Sequence, residues 1–269
     1  MNKLTILMNC KNGANFLSDS LNSIVNQTFK DWKLFFFDNL STDNSKEIFN
    51  SFKDNRFHYF IFDEPLKLGD ARKKAWGNIQ SQYVAICDVD DIFYDNRFQE
   101  QLEYLDNNEN CSVVGSNVYL IDKFSNKIKK VNHHLSNEEL KQKIQYKHVF
   151  NSSTLVFRKK YVDEVGGYNS NYEMVNDYDL LYRLSRKFDI SILNKTLVCS
   201  RQHENNLSFK KIVKGQVELI KLQLEILKNI NDLNIKLRLY KNILITFLRV
   251  VYHSFKNLLK NINISNDKK

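Results

Sequence analysis

The chain is predicted to be an α/β protein with a mostly parallel sheet flanked by helices, on three observations. Short apolar runs alternate with amphipathic helical stretches through residues 4–87, the pattern of strand–helix–strand units. Leu4–Met8, Leu34–Phe37 and Tyr83–Cys87 read as buried strands. The run Asp88-Val89-Asp90-Asp91 follows the last of these directly, which puts three carboxylates at a strand's carboxyl end, where open α/β sheets bind ligands.

The elements follow in order. After Leu4–Met8, Asn12-Gly13 signals a turn, and Phe16, Leu17, Leu21, Ile24 and Val25 recur at helical spacing up to Gln27-Thr28. Leu34–Phe37 is stopped by Asp38-Asn39, and the polar stretch Ser41–Ser45 leads into a helix through Ile48 and Phe52. Asn44, three residues before Glu47, is a candidate cap. Phe57–Phe62 is a third strand, Ala71–Ile79 a helix, and Tyr83–Cys87 the strand that carries the acidic run. Gly166-Gly167 supplies permissive backbone at a turn.

At 269 residues the chain can bury a full core. Cys10, Cys87, Cys111 and Cys199 form no Cys-x-x-Cys pair, so neither a zinc site nor a redox motif is indicated. The N-terminal apolar run is too short for a signal peptide, and a cytoplasmic setting is expected. The net charge of +9 is uneven: residues 210–269 carry 13 basic and 4 acidic side chains and account for the whole excess. That asymmetry divides the chain into 1–209 and a basic extension, 210–269. Nucleic acid is not an expected partner, because the basic residues are not interleaved with stacking aromatics.

Carboxylates held close together repel, and a cation is one way to offset that. Hard oxygen ligands suit Mg2+ or Mn2+, and those ions suit phosphate-bearing substrates. No strand end carries a glycine-rich phosphate loop, since Gly13 stands alone, which leaves carboxylate-held metal as the way to bind phosphates.

Asn12-Gly13, Ser23-Ile24-Val25-Asn26-Gln27-Thr28-Phe29-Lys30-Asp31, Asp38-Asn39-Leu40-Ser41-Thr42-Asp43-Asn44-Ser45, Ala71-Arg72 and Asp88-Val89-Asp90-Asp91 occur in that order. They are followed by Gly166-Gly167-Tyr168, Asp177-Tyr178-Asp179-Leu180 and Arg201-Gln202-His203. Together they resemble the family 2 glycosyltransferases over roughly residues 3–208. The resemblance implies a GT-A fold, a Rossmann-like sheet with a metal-binding Asp-x-Asp motif. It also implies a nucleotide-binding half at about 1–95, an acceptor half at about 96–209, and sugar transfer from a nucleotide diphosphate donor with inversion.

Carried onto these positions, the resemblance puts Asn9, Lys11, Asp38, Asn39, Arg72 and Asp88 around the donor. Asp90, Asp91 and His203 fall by a divalent cation, Mn2+ or Mg2+, and Asp177 matches the general base that takes the acceptor hydroxyl proton. Three positions depart from the common pattern. Asn9-Cys10-Lys11-Asn12 stands where many relatives have Pro-x-Tyr-Asn, Asn39 where an aspartate is frequent, and Asn176 where a glutamate precedes the base.

Residues 212–260 read as two or three helices. In the last, Arg238, Asn242, Thr246, Arg249, His253, Lys256 and Lys260 form one polar stripe. Leu239, Ile243, Leu244, Phe247, Leu248, Val251, Phe255 and Leu258 fill a wide apolar face. Ile243–Tyr252 is too short to span a bilayer. A basic amphipathic helix over 236–260 fits peripheral contact with the inner face of the plasma membrane. The same face would also fit against the catalytic domain or a second copy.

The expected activity is therefore metal-dependent transfer from a nucleotide diphosphate sugar to a saccharide or glycolipid acceptor, in the building of a bacterial surface polysaccharide or lipid-linked glycan. A catalytically weak nucleotide-sugar-binding module and a magnesium-dependent phosphatase or nuclease are the alternatives.

Overall fold

A computed structural model describes residues 2–266, with side chains to residue 256. It is an α/β fold built on one nine-stranded sheet. The first part alternates β1 (Leu4–Cys10), α1 (Ala14–Val25), β2 (Trp32–Asp38), α2 (Ser45–Ser51), β3 (Phe57–Ile61), α3 (Leu68–Trp76) and β4 (Tyr83–Ile86). Then come β5 (Ile92–Phe93), α4 (Arg97–Asn107), β6 (Cys111–Ile121), β7 (Lys127–Val131), α5 (Asn137–Lys143) and a single 3-10 turn, Ser152–Thr154. The chain continues through β8 (Val156–Arg158), α6 (Lys159–Glu164), α7 (Asn176–Ser185), β9 (Asp189–Arg201), α8 (Leu207–Lys210), α9 (Ile212–Lys228) and α10 (Leu233–Asn266).

Strand order is β3-β2-β1-β4-β8-β6-β9-β5, with β7 beside β6. The β3-β2-β1-β4 half is parallel throughout, as its strand–helix alternation predicts. The other half is mixed: β8 runs antiparallel to β4 and β6, whereas β6 and β9 pair in parallel. In the parallel half Cys10 pairs with Asp38 and Asp38 with Ile61, while Leu7 pairs with Ile86, so the carboxyl ends lie side by side.

Residues that alternate along a strand face opposite sides of the sheet. Ile6 and Met8 join Leu17, Leu21, Phe98 and Leu102 in the core beneath α1 and α4. Leu7 and Ile86 join Ala75, Phe157, Leu181 and Leu184 in the core beneath α3 and α7. Leu222 and Ile226 of α9, Ile230 just after it, and Leu239 of α10 belong to this second core. The basic extension is thus packed on the α/β body, and the 209/210 boundary read from charge falls inside α8.

Local detail departs from expectation at two caps. Asn44 occupies the capping position of α2 but makes no side-chain cap bond. The neighbouring Asp43 does that work, accepting from the Ser45 and Ala14 N–H groups and so tying α2 to α1. The Asn12-Gly13 turn places Asn12, rather than Gly13, in the left-handed region (φ 56°). Asn12 then accepts from the Thr42 N–H and donates its own N–H to Ser41 Oγ, locking the β1 and β2 loops together. Gly166 and Gly167 take φ of 84° and 69°, the permissive turn the dipeptide predicts.

Candidate active site

The acidic run leaves β4 at the carboxyl edge of the parallel half and splits by depth. Asp88 is open, its side chain 43% exposed, while its backbone is pinned from both sides: its N–H donates to Ser153 Oγ and its C=O accepts from Ser20. Asp90 is nearly enclosed; its Oδ2 lies 2.8 Å from His203 Nε2 and accepts from Asn206 Nδ2 at 3.0 Å. Burial, with Asp88 alongside, raises the Asp90 pKa above the ordinary carboxylate value. Asp91 is 3% exposed and accepts the Arg201 N–H at 2.8 Å. Burial, then Asp90 and Asp88, pushes its pKa well up.

Arg201, at the end of β9, braces the acidic run. Its guanidinium is 1% exposed and donates to the Asp90 carbonyl, to Ser125 Oγ and, at 3.1 Å, to Asp19 Oδ2. The Arg201-Gln202-His203 segment thereby brings His203 to Asp90.

Arg72 joins the acidic run to α7. It projects from α3, is buried, and donates to Asn176 Oδ1 at 2.9 Å and Ser152 Oγ at 3.0 Å, with Asp88 Oδ1 3.6 Å away. Gly69, one turn earlier, allows this approach: a Cβ there would stand 2.2 Å from the Tyr172 carbonyl oxygen. Asn176 opens α7, and the partly exposed Asp177 is its second residue, with one carboxylate oxygen accepting the Tyr178 N–H. Asn176 also donates to the Glu173 carbonyl. An amide can accept from Arg72 while donating to a carbonyl, which a carboxylate in its place could not.

The nucleoside-side residues sort differently. Asn9, at the end of β1, has a buried Nδ2 with no hydrogen-bond partner among the described residues. Lys11 is exposed beside it. Asp38 has both oxygens in use, accepting from the Ser41 N–H at 2.8 Å and from the Tyr59 hydroxyl at 2.5 Å. Asn39 forms a reciprocal pair with Leu66, donating to its carbonyl (2.7 Å) and accepting from its N–H (2.8 Å). The side-chain polar groups of Asp38 and Asn39 therefore shape the loops, whereas Asp88 lies beside both Asp90 and Arg72, and Arg72 is close enough to Asp177 to feel its charge.

Among the described residues no group of three or more His, Cys, Asp and Glu side chains is placed to hold a metal ion. The donor set instead fits a cation tethered by one or two carboxylates, Asp90 with Asp88 beside it, and otherwise coordinated by ligand oxygens and water, as Mg2+ prefers. His203 Nε2 is spent on Asp90, and Asp91 on the Arg201 backbone. Sequence reasoning did not single out Ser152, Ser153 or Asn206. They lie in a single 3-10 turn and in the loop before α8, too short for periodicity, and only the fold brings them to the acidic run.

The family "Glycosyl transferase family 2" matches residues 5–166. Curated relatives include an uncharacterized glycosyltransferase of Methanocaldococcus jannaschii, 29% identical over 65% of this chain and 62% of that protein. Another is a Bacillus subtilis glycosyltransferase provisionally assigned to teichuronic acid biosynthesis, 29% identical over 35% of this chain and 38% of that protein. An uncharacterized glycosyltransferase of Rickettsia conorii is 27% identical over 76% of this chain but 35% of its own length. The chain thus spans about a third to three-fifths of the length of these relatives.

Among solved structures, S. aureus TarS in complex with UDP-GlcNAc superposes with a TM-score of 0.64 at 14% identity, over 82% of this chain and 66% of that one. A Pyrobaculum calidifontis mannosyltransferase in complex with GDP-Man and Mn2+ gives 0.66 at 10% identity, over 98% and 80%. These likenesses show a GT-A fold. With the family match covering more than half of its length, the chain belongs to glycosyl transferase family 2.

Proposed function

We propose that this glycosyltransferase moves a sugar from a nucleoside diphosphate donor to a hydroxyl of a saccharide or glycolipid acceptor, with inversion, in the assembly of a surface polysaccharide or lipid-linked glycan. The observation that carries the reading is Arg72. Through Asn176 and Asp88 this one buried guanidinium joins the acidic run to the helix start that bears Asp177.

The roles follow from position. Asn9, at the end of β1, stands on the nucleoside side of the sheet edge. Lys11 lies beside it, and the loops held by Asp38 and Asn39 wall the nucleoside side. Asp88 is open to the donor, and His203 and Asn206 orient the Asp90 carboxylate. A divalent cation held by Asp90, with Asp88 alongside and the buried Asp91 next in the chain, would supply positive charge against the departing diphosphate.

Asp177 then accepts the proton of the acceptor hydroxyl. The oxygen attacks the anomeric carbon from the face opposite the diphosphate, and the bonding pair leaves with the nucleoside diphosphate. A single displacement with one base inverts the centre and needs no covalent intermediate on the enzyme.

The test is a panel of UDP- and GDP-sugars with and without manganese, read as thermal midpoint and as nucleoside diphosphate release. A ligand of the native state must raise the midpoint. Asp177→Asn should lower turnover by about 10²–10⁴-fold while leaving the donor-induced shift intact. Near-normal turnover in that variant would remove Asp177 from the mechanism. Phosphate release from simple esters without a sugar donor would favour a phosphatase, and metal-dependent donor binding without turnover a binding module.

Peripheral contact of 236–260 with an anionic membrane is a second part of this reading, favoured by how α10 is docked. Leu239 and Thr246 are buried, and Arg238 and Asn242 donate to the hydroxyl and the carbonyl of Tyr146. Leu237, Leu244, Phe247, Leu248, Val251 and Phe255 are all exposed. Asn242 and Thr246 thus turn toward the protein together with Leu239, while most of the apolar face beyond Leu239 points outward. Lys241, Arg249 and Lys256 are exposed on the same helix. An apolar surface with basic residues on the helix suits an anionic lipid interface. Partition onto anionic vesicles is the measurement. Leu258 and Lys260 lie beyond the described side chains, and among the described residues no helix is long and apolar enough to cross a membrane.

A further inference from the structure

The segment that leads into α7 is held from the C-terminal extension. Glu218 of α9 is buried, and its Oε2 accepts the backbone N–H groups of Glu173 (2.9 Å) and Met174 (2.7 Å). Glu173 is itself buried, and its two carboxylate oxygens are paired with Lys211, at 2.5 Å, and with Lys214. Those lysine ties keep its pKa below the ordinary glutamate value although burial opposes them. The Glu173 carbonyl accepts from Asn176, which receives Arg72, which faces Asp88. A continuous set of hydrogen bonds and ion pairs therefore runs from α9 through residues 173–176 to the acidic run, and Asp177 follows directly on Asn176 in the chain.

We propose that Glu218, with the Lys211–Glu173–Lys214 cluster, is a positioning device for the catalytic base, so that the C-terminal extension completes the active site. The proposal rests on the reading of Asp177 as that base. Two backbone N–H groups on one carboxylate oxygen are charge-assisted hydrogen bonds, stronger than neutral ones, and they fix the height at which α7 begins. Catalysis tolerates little slack there, because a displacement of about 1 Å at a reacting group can cost 10²-fold in rate. Both carboxylates are already engaged, Glu218 by the 173–174 backbone and Glu173 by Lys211 and Lys214, so both act through the 173–177 backbone.

The experiment compares Glu218→Leu, Glu218→Gln and Asp177→Asn in the full chain. It measures nucleoside diphosphate release from whichever member of the nucleotide-sugar panel is turned over, and hydrogen exchange at amides 173–178, which needs no substrate. Glu218→Leu should lower kcat at least tenfold with donor KM within twofold, and should speed exchange at 173–178 while β1 and β4 stay protected. Glu218→Gln keeps an acceptor oxygen and should recover most of kcat.

If Asp177→Asn abolishes transfer but Glu218→Leu keeps kcat within twofold or leaves exchange unchanged, the positioning role is overturned and the base assignment stands. If Asp177→Asn turns over normally, the base assignment falls and the proposal with it. Should Glu218→Leu not fold, Lys211→Ala/Lys214→Ala carries the same test, since both lysines are about two-fifths exposed. A fall in kcat of at least threefold is expected, and an unchanged kcat overturns the role.

Discussion

Asn39 explains itself once its partner is seen. In the family pattern an aspartate is frequent there, and an asparagine reads as a departure bearing on the nucleotide base. Here the amide makes a reciprocal pair with the backbone of Leu66, which requires one donor and one acceptor on the same side chain. Asn39→Asp should therefore destabilise the protein by about 1–3 kcal/mol, because a carboxylate would face the Leu66 carbonyl with nothing to donate. A denaturation midpoint equal to wild type would show that the pair contributes little.

Asp90 carries the opposite expectation. Its folded pKa is raised, so stability is present at low pH and is lost as pH rises from the ordinary carboxylate value through the raised one. Asp90→Asn removes that loss and should raise the ligand-free midpoint near pH 7, with little gain near pH 3. It should also abolish the added shift from manganese plus nucleotide sugar. A retained shift would separate Asp90 from cation binding.

At the scale of elements, strand–helix alternation and helical spacing located the parallel half to within a few residues, because those signals are local. The helix expected at Ala71–Ile79 begins at Leu68, and the reason is not local. Gly69 lies within the helix because α3 must approach the Tyr172 carbonyl closely enough for Arg72 to reach Asn176. Gly69→Ala should cost about 1–3 kcal/mol through overpacking against backbone that has little room to yield. It should also weaken turnover beyond what stability alone explains, because Arg72 would be displaced with α3. Unchanged kinetics at a temperature where the variant is fully folded would break that link between α3 and the site. The antiparallel entries of β7 and β8 had no such periodic signal, being short strands between loops.

For the whole molecule, the charge boundary marks off a basic extension whose Leu222, Ile226, Ile230 and Leu239 share a core with the α/β body. Truncation after Lys210 would remove these side chains, each contributing about 1.5–3 kcal/mol when fully buried, and would also remove Glu218. It would confound membrane affinity with folding. Substitutions on the outward face are cleaner: Phe247→Ser with Val251→Ser should reduce partition onto phosphatidylglycerol vesicles about tenfold or more and spare turnover in solution. Equal partition by both proteins would remove α10 from membrane contact. Loss of a concentration-dependent dimer without change in partition would identify a second copy as the occupant of that face.

By itself the amino-acid sequence determined the α/β class, the acidic run at the end of β4, the family and the residues gathered in its motifs, because strand and helix periodicity and short motifs are written in neighbouring residues. Tertiary structure decided how the acidic run divides by depth, which polar groups are spent on loops, that Arg72 ties Asp88 to the helix of Asp177, and which face of α10 points outward. Those outcomes depend on packing between residues tens to more than a hundred positions apart, where burial and hydrogen-bond partners are settled by the whole fold and leave no periodic trace in the chain.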